Sequence, residues 1–334
     1  MRRILPLLLL LALVSGACAP PTLITVEAND APVVVSTDEP VDETEQETIN
    51  GVIAYNHIEA LTEIGARVAG TEEETEAAQY IMDTLEAIGY SPERQYFTES
   101  DDYGDEVESA NVIAVKDGDA PQEIIVGAHY DSAEDGLGAD DNASGVAVML
   151  EAAELVWDVD TPYTIIFVAF GAEEAGLLGS YAYVEGRDTR DAMAMINLDA
   201  VVAGDIAYIY SDEGEQAAIR DWALDWAKSN GFDLQTIRNV DLTDPEDGSG
   251  SSDYAAFQEA GIPFVYFEAT NWSLGDQDGY TQVDPQYGWE GEIRHTEYDT
   301  LEYFEATFPG RVEQRLNLFV TVLYNILTQF EALE

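Results

Sequence analysis

The sequence predicts a three-layer α/β/α fold, in which a central, mostly parallel sheet carries helices on both faces. Short runs rich in Val, Ile, Phe and Ala alternate with longer amphipathic segments over residues 53–330. That alternation is typical of strands joined by crossover helices. The chain has 334 residues, is 46% hydrophobic and contains 18 Tyr, 11 Phe and 5 Trp, which is enough for a large core.

Two helices are expected first. Apolar residues over 53–64 follow a helical period, and His57 among them is interpreted as structural because no ligand-type spacing surrounds it. A second helix is expected over 71–88. There, Thr71 and the three glutamates after it resemble a helix cap, and Gly89 provides a stop.

Strands and helices then alternate along the rest of the chain. The predicted strands are 94–98, 111–115, 123–128, 163–170, 192–198, 206–210, 234–237 and 264–268. The later predicted helices are 143–157, 176–185, 215–228, 252–260 and 311–330. Residues 275–292 form a long predicted loop, and loops of that length are often functional.

The charge is strongly acidic, with 13 basic residues against 67 acidic ones and a net charge of −54. Such a chain repels nucleic acid and anionic lipid headgroups, so neither is expected as a partner. Two interpretations remain open: adaptation to high salt, which screens dense charge, or an ordinary solvated acidic surface.

The first 17 residues resemble an export signal. Arg2 and Arg3 precede an apolar run over 4–14 that is too short for a typical membrane span. Small residues then lead to Cys18, as in bacterial lipoproteins that are cleaved before a lipid-bearing cysteine, although Ser15 replaces their usual leucine. The expected product is a membrane-anchored lipoprotein on the extracytoplasmic face, or a secreted protein if ordinary cleavage occurs.

Cys18 is the only cysteine, so no disulfide can form within the chain. Residues 18–48 are rich in Pro, Thr, Val and acids without a helical period, which predicts a flexible tether. Residues 49–334 are expected to form a single domain.

Five side chains that can bind a divalent metal follow predicted strands. The carboxyl ends of parallel strands meet at one edge of a sheet, so these side chains are expected to converge. Histidine ligands favour zinc-like metals over calcium. The five candidates are His129, Asp141, Glu174, Asp199 and His295.

Two further acids lie beside these candidates. Asp131 follows His129 by two residues, a spacing suited to supporting a metal-bound imidazole. Glu173 directly precedes Glu174, and consecutive side chains cannot point the same way. One carboxylate can therefore bind metal while the other faces the substrate water.

The segments GAHYDS, GADDNASG, FGAEEAGLLGS, INLDA and RHTEYDT resemble those of the co-catalytic two-zinc aminopeptidases, metallopeptidase family twenty-eight. That family also includes glutamate carboxypeptidase and the glutaminyl cyclases. The resemblance spans roughly residues 53–331. It implies a fold of the zinc-exopeptidase type, with residues 49–334 as one zinc peptidase catalytic domain that holds two Zn²⁺ ions.

The resemblance also implies roles for the five candidates. Asp141 would bridge the two zinc ions. His129 and Asp199 would complete one zinc position, and Glu174 and His295 the other.

Around those ligands, Glu173 would be the general base, acting on a water that bridges the metals. Asp131 would support His129, and Asp140 would hold the loop. Asp299 would either support the final histidine or cap a helix.

The chain departs from the family pattern at two positions. Many relatives have a histidine where Tyr254 follows Ser252-Asp253, and some have a tyrosine where Arg294 precedes His295. Arg294 could stabilise an oxyanion, bind a substrate carboxylate, or pair with a surface acid.

The expected function is hydrolysis of the N-terminal residue from peptides outside the cytoplasm. The alternatives are carboxypeptidase-type hydrolysis, cyclisation of N-terminal glutamine, and a non-catalytic binding ectodomain. The complete ligand set favours hydrolysis. The aromatic residues expected either to line the substrate pocket or simply to pack are Tyr266, Phe267, Trp272, Tyr280, Tyr287 and Trp289.

Overall fold

The computed structural model describes residues 51–101, 103–237, 252–277 and 279–332. The predicted signal peptide, the tether and Cys18 lie outside the described residues. Within those residues, no helix has the length and apolar character needed to cross a membrane.

A seven-stranded mixed sheet lies at the centre of the described chain, with the strand order β1-β2-β4-β3-β5-β7-β6. The four central strands β4, β3, β5 and β7 run parallel to one another. β1, β2 and β6 pair antiparallel at the two sides. The strands are β1 (Glu93–Ser100), β2 (Glu106–Lys116), β3 (Ala120–His129), β4 (Tyr163–Phe170), β5 (Ala192–Leu198), β6 (Ile206–Tyr210) and β7 (Phe264–Thr270).

Helices cover both faces of this sheet. α1, α2, α3 and α8 pack together over one face, while α4 and α6 cover the other. α5 packs against α8 and β6. The helices are α1 (Val52–Ile64), α2 (Glu72–Ile88), α3 (Gly145–Val156), α4 (Leu178–Gly186), α5 (Ala218–Asn230), α6 (Tyr254–Glu259), α7 (Leu301–Thr307) and α8 (Arg311–Gln329).

The central strands are buried on both faces, which explains their continuous apolar sequences. Successive side chains of a strand point to opposite faces. In β4, Ile165 and Phe167 accordingly join the core under α3, while Ile166 and Val168 join the core under α4 and α6. The predicted α/β fold with a mostly parallel, mixed sheet is confirmed.

Several predicted elements differ in the structure. Residues 234–237 do not form a strand, because only an isolated bridge joins Gln235 to Tyr208. α7 was not predicted; it is a short helix whose N-cap Thr300 accepts a hydrogen bond from the amide of Tyr303. The helix predicted from residue 143 begins at Gly145, after a kinked turn over Ala139–Ser144 in which Asp141 and Asn142 have non-helical dihedral angles.

Candidate metal centre

Three of the five candidate ligands form one group at the carboxyl ends of the parallel strands. His129 is the last residue of β3, and Asp199 directly follows β5. Asp141 lies in the kinked turn over Ala139–Ser144, where the Asp141–Asn142 peptide bond is cis. His129 Nε2 lies 3.1 Å from Asp141 Oδ1 and 3.5 Å from Asp199 Oδ1.

A second group shares Asp141 with the first. His295 Nε2 lies 3.1 Å from Asp141 Oδ2 and 3.1 Å from Glu174 Oε2. In each group the donor atoms all lie within 4.8 Å of one another. The two oxygens of one carboxylate therefore face two separate clusters, as in a bridging ligand.

The residues present fit two zinc ions. Zinc bonds to nitrogen and oxygen ligands at about 2.0–2.2 Å in tetrahedral geometry, which places ligand atoms roughly 3.4 Å apart. The separations of 3.1–3.5 Å agree with that spacing. Within the described part of the chain, Glu174 Oε1 and Asp199 Oδ1 are also buried without a hydrogen-bond partner. Buried carboxylate oxygens need partners, and a cation would satisfy them.

Asp131 joins the first histidine to the glutamate pair. Its Oδ1 lies 3.4 Å from His129 Nδ1, close to the imidazole that it was predicted to support. The same carboxylate also accepts the backbone amides of Glu173 and Glu174, each at 3.0 Å. This second contact was not predicted, and it ties the loop after β4 to the end of β3.

Glu173 lies beside the first group, with Oε2 4.0 Å from His129 Nε2. Burial raises the pKa of Glu173 well above its usual range; His129 opposes the rise, while Glu174 and Asp253 add to it. A carboxyl group whose pKa is raised in this way suits an exchange of protons with water.

The surrounding carboxylates also raise the pKa values of the two histidines. Burial by itself would lower the pKa of His129, but Glu173 and the other surrounding carboxylates raise it well above its usual value. Hydrogen bonds that His295 donates to Asp141 and Glu174 raise its pKa to about 11. The site therefore carries an excess of negative charge that favours cations, either protons or metal ions.

A buried hydrogen-bond network fixes the loop that carries Asp141. Asp299 accepts the amides of Asp140 and Asp141 at 2.6 and 3.1 Å. Asp140 in turn accepts the amide of Val202 at 2.7 Å and the side-chain amide of Gln282 at 2.7 Å. These contacts agree with a loop-holding role for Asp140. Asp299 was predicted to support His295, and its hydrogen bonds instead hold the loop of Asp140 and Asp141. A capping role for Asp299 is wrong, because Thr300 caps α7.

Arg67 also stabilises this region, and no local sequence pattern indicates its role. Its fully buried side chain donates to the carbonyl groups of Tyr130, Leu137 and Gly138 at 2.8–2.9 Å. These carbonyls flank the turn between β3 and the loop of Asp141. Arg67 lies more than sixty residues from them in sequence, so local patterns could not reveal the contact.

Strained backbone surrounds the candidate ligands. Ala172, Ala200 and His295 have φ values of 54°, 50° and 58°, which residues other than glycine seldom adopt. Such strain persists where surrounding contacts impose it. At Ala172 the amide donates to the buried carboxylate of Glu74 at 3.0 Å.

A cavity of about 330 Å³ opens onto the ligands. Besides the acids and His295, Ser252, Leu177 and Arg294 line it. Among the aromatic residues expected there, Tyr266 and Tyr280 line the cavity.

The other four aromatic residues lie elsewhere. Phe267 and Tyr287 pack against Phe319 and Phe308, respectively. Trp272 packs against Tyr210. Trp289 is 66% exposed and does not line the cavity.

The two departures from the family pattern have different structural outcomes. Tyr254 stacks on Phe264 in the core, with 4.4 Å between ring centroids, so it contributes no ligand. Arg294 lines the cavity and pairs with Glu268 at 2.8 Å. Of the three alternatives for Arg294, pairing with a surface acid is wrong in its location, because its partner Glu268 is buried.

Comparison with known proteins adds independent information. Residues 111–320 match the model of peptidase family M28. The chain is 32% identical to the alkaline phosphatase isozyme conversion protein of Escherichia coli strain K12, covering 75% of this chain and 81% of that relative. It is 33% identical to aminopeptidase YwaD of Bacillus subtilis strain 168, covering 65% of this chain and 44% of the relative.

A third relative is the probable lipoprotein aminopeptidase LpqL of Mycobacterium tuberculosis, at 32% identity over 60% of this chain and 42% of the relative. The chain thus spans about four-fifths of the first relative and less than half of the other two.

Solved structures share the fold. A zinc aminopeptidase from Bacillus subtilis superposes with a TM-score of 0.66 at 20% identity, covering 86% of this chain and 97% of that one. The glutaminyl cyclase of Fimbriiglobus ruber gives a TM-score of 0.62 at 21% identity, covering 84% and 95%. The same fold therefore occurs in proteins described as aminopeptidases and as cyclases.

Proposed function

The chain belongs to peptidase family M28, and from that premise we propose that it is a zinc-dependent aminopeptidase that hydrolyses the N-terminal peptide bond of peptides. The observation that carries the proposal is the pair of ligand groups that share Asp141 beside Glu173. The named aminopeptidases among the relatives support the reaction type.

The proposed ligands are divided between two positions. His129, Asp141 and Asp199 would hold one zinc ion, while Asp141, Glu174 and His295 would hold the other. Two zinc ions at these positions would polarise the scissile carbonyl and lower the pKa of the attacking water.

The proton transfers are assigned to Glu173. Its carboxylate would accept the proton of the attacking water and later deliver it to the leaving amine. The raised pKa of Glu173 supports this role, because the group must both take up and release a proton near neutral pH. Asp131 would keep Glu173 in place through its backbone amide.

Carboxypeptidase-type hydrolysis and glutamine cyclisation remain the alternative reactions for this fold, since glutaminyl cyclases share it. The presence of both ligand groups favours hydrolysis over cyclisation. A non-catalytic binding ectodomain is disfavoured by the same complete set of ligands.

We also propose export and anchoring through a lipid on Cys18. The sequence of the first 18 residues supports this location, and one relative is described as a probable lipoprotein. Expression in a bacterial host, fractionation and mass spectrometry would test it. A Cys18→Ala variant should move from the membrane fraction to the soluble fraction, whereas equal distribution of the two proteins would contradict anchoring.

The test of the function is a combined metal and activity measurement on the purified chain. Zinc is counted by elemental analysis, and a panel of aminoacyl-nitroanilides is assayed with and without a chelator. About two zinc ions with chelator-sensitive release of nitroaniline is the expected result. Two zinc ions without release would redirect the assay to N-terminal glutamine peptides and to C-terminal substrates.

A further inference from the structure

Arg294 is a buried cation in the wall of the cavity. Its side chain is 11% exposed, and it directly precedes His295. Asp141 and Asp199 lie close enough to act on its charge. Among the described residues that line the cavity, it is the only arginine or lysine.

The position of this guanidinium is fixed from several directions. Nη2 donates to Glu268 Oε1 at 2.8 Å and to the carbonyl of Gly279 at 2.9 Å. The Cζ atom lies 5.3 Å from the ring centroid of Tyr280. The backbone amide of Arg294 donates to Gln282, whose side chain also holds Asp140.

These contacts determine which donors remain for a ligand. A guanidinium presents two forks to a carboxylate: Nε–H with one hydrogen of Nη2, and Nη1–H with the other hydrogen of Nη2. Both hydrogens of Nη2 are used by Glu268 and Gly279. Nε is buried without a hydrogen-bond partner in the described chain.

A substrate carboxylate could therefore bind Arg294 through a fork only by displacing Glu268 or the carbonyl of Gly279. Nη1 has no acceptor among the described residues, so it can donate to an oxygen atom of a ligand without displacing Glu268 or Gly279. A peptide carbonyl presents one oxygen atom. This oxygen gains negative charge as water adds to the carbonyl carbon.

We propose that Arg294 Nη1 donates a hydrogen bond to the carbonyl oxygen of the scissile peptide bond, and that Glu268 is the residue that positions it. This inference rests on the proposed peptidase function. Arg294 then acts on the reacting group, and recognition of a substrate's C-terminal carboxylate is not its role.

The experiment uses the zinc-loaded full chain and three variants: Arg294→Met, Arg294→Lys and Glu268→Gln. We expect Arg294→Met to lower kcat by about 10²–10³-fold, the size of loss seen when one oxyanion donor is removed, with little change in KM. Its affinity for an aminoalkylboronic acid, which mimics the tetrahedral anion, should fall in parallel. Affinity for the free amino acid product should not change.

The other two variants separate positioning from folding. Arg294→Lys should recover part of the lost kcat. Glu268→Gln should lower kcat less than Arg294→Met, and its effect should disappear when Arg294 is already Met. Arg220→Met is the matched control, because Arg220 is also buried and paired with acids but does not line the cavity. It should lower stability without changing kcat.

Several outcomes would overturn the inference. One is an active wild-type enzyme whose Arg294→Met variant keeps kcat and boronate affinity. Another is a rise in KM confined to di- and tripeptides with a free C-terminal carboxylate, which would assign Arg294 to carboxylate binding. If Arg294→Met does not fold, the Glu268→Gln variant decides the question. An unchanged kcat in Glu268→Gln would contradict the proposal that Glu268 positions Arg294 for catalysis. A zinc-loaded wild type that hydrolyses nothing in the panel would refute the proposed function and this inference with it.

Discussion

His295 Nε2 lies 3.1 Å from Asp141 Oδ2, so the last candidate ligand in the chain faces the carboxylate that also contacts the first. Asp141 lies on a loop held by buried hydrogen bonds, whereas the side chain of His295 is 48% exposed. The shared carboxylate makes the two metal positions interdependent, and the exposed histidine makes the second position the more accessible one.

Removing single ligands should therefore have unequal effects on zinc content. We expect His295→Ala to retain about one zinc per chain and Asp141→Asn to retain less than one, because only Asp141 serves both positions. Elemental analysis after dialysis measures this, with circular dichroism to confirm folding. His57→Ala is the matched control, since His57 contacts Tyr80 and no candidate ligand, and should keep two ions. Two ions retained by His295→Ala would contradict the assignment.

Glu173→Gln should separate proton transfer from metal binding. Loss of a general base typically lowers the rate by about 10²–10⁴-fold, while zinc content should stay at the wild-type value because Glu173 belongs to neither ligand group. Steady-state kinetics and elemental analysis on one sample provide both readings. Glu86→Gln, at an exposed position on α2, is the control and should keep the wild-type activity and zinc content. Full activity in Glu173→Gln would remove Glu173 from the mechanism.

Metal affinity should rise with pH. In the metal-free protein the carboxylates raise the pKa of His295 to about 11 and that of His129 well above its usual value. The imidazole of His295 then carries a proton at neutral pH, which it must lose to bind a metal. Affinity should therefore increase from neutral pH toward about 11 for the position of His295. Calorimetry in buffers of different ionisation enthalpy should show proton release when this position fills, and release of none would contradict this charge state.

Asp299 should affect both stability and metal affinity. Asp299→Ala leaves the amides of Asp140 and Asp141 without their acceptor. An unsatisfied buried group costs about 1–3 kcal/mol, and loss of such outer support typically weakens metal binding about 10–100-fold. Asp299→Asn keeps one acceptor oxygen. Its stability and its zinc affinity should therefore lie between those of the wild type and those of Asp299→Ala.

The neighbouring Thr300→Ala variant is the control for Asp299. Urea unfolding measures the stability of all these variants, and zinc competition measures their zinc affinity. Thr300→Ala removes the cap of α7 at a cost of about 0.5–2 kcal/mol and should leave zinc affinity unchanged. Equal losses of zinc affinity in Thr300→Ala and Asp299→Ala would mean that general destabilisation explains both.

The net charge of −54 predicts a stability that depends on salt. The screening length falls from about 10 Å at 0.1 M salt to about 3 Å at 1 M, so repulsion between surface acids should decrease and Tm should rise. Thermal unfolding of the metal-loaded chain across sodium chloride concentrations measures this, with sucrose at matched osmolality as the control. Maximal stability at low ionic strength would contradict adaptation to high salt.

The sequence predicted most strands and the sites where they end, because both depend on local pattern. Residues 163–170 read as one apolar run, and a strand buried on both faces produces that run. His129 and Asp199 were placed at strand ends for the same reason, and the structure brings them together.

Local sequence patterns do not predict contacts between segments that are distant in the chain. The local pattern around Glu74 indicates a helix cap, yet its carboxylate also accepts the amide of Ala172, 98 positions away. The local sequence around Glu74 does not predict a contact with Ala172, and the sequence around Ala172 does not predict one with Glu74. The role of Glu268 beside Arg294 was missed for the same reason, since it appears as one acid within an otherwise apolar strand.

The positions of the ligands along the chain also set an order of assembly. A ribosome that has passed residue 199 has already supplied His129, Asp141 and Asp199, with about two-fifths of the polypeptide still unmade, but the loop that holds Asp141 also needs Asp299. The other cluster must wait for His295, nearly a hundred codons later. Both candidate clusters therefore depend on segments made late in synthesis, so proteolytic competence would come only after those segments have folded onto the sheet.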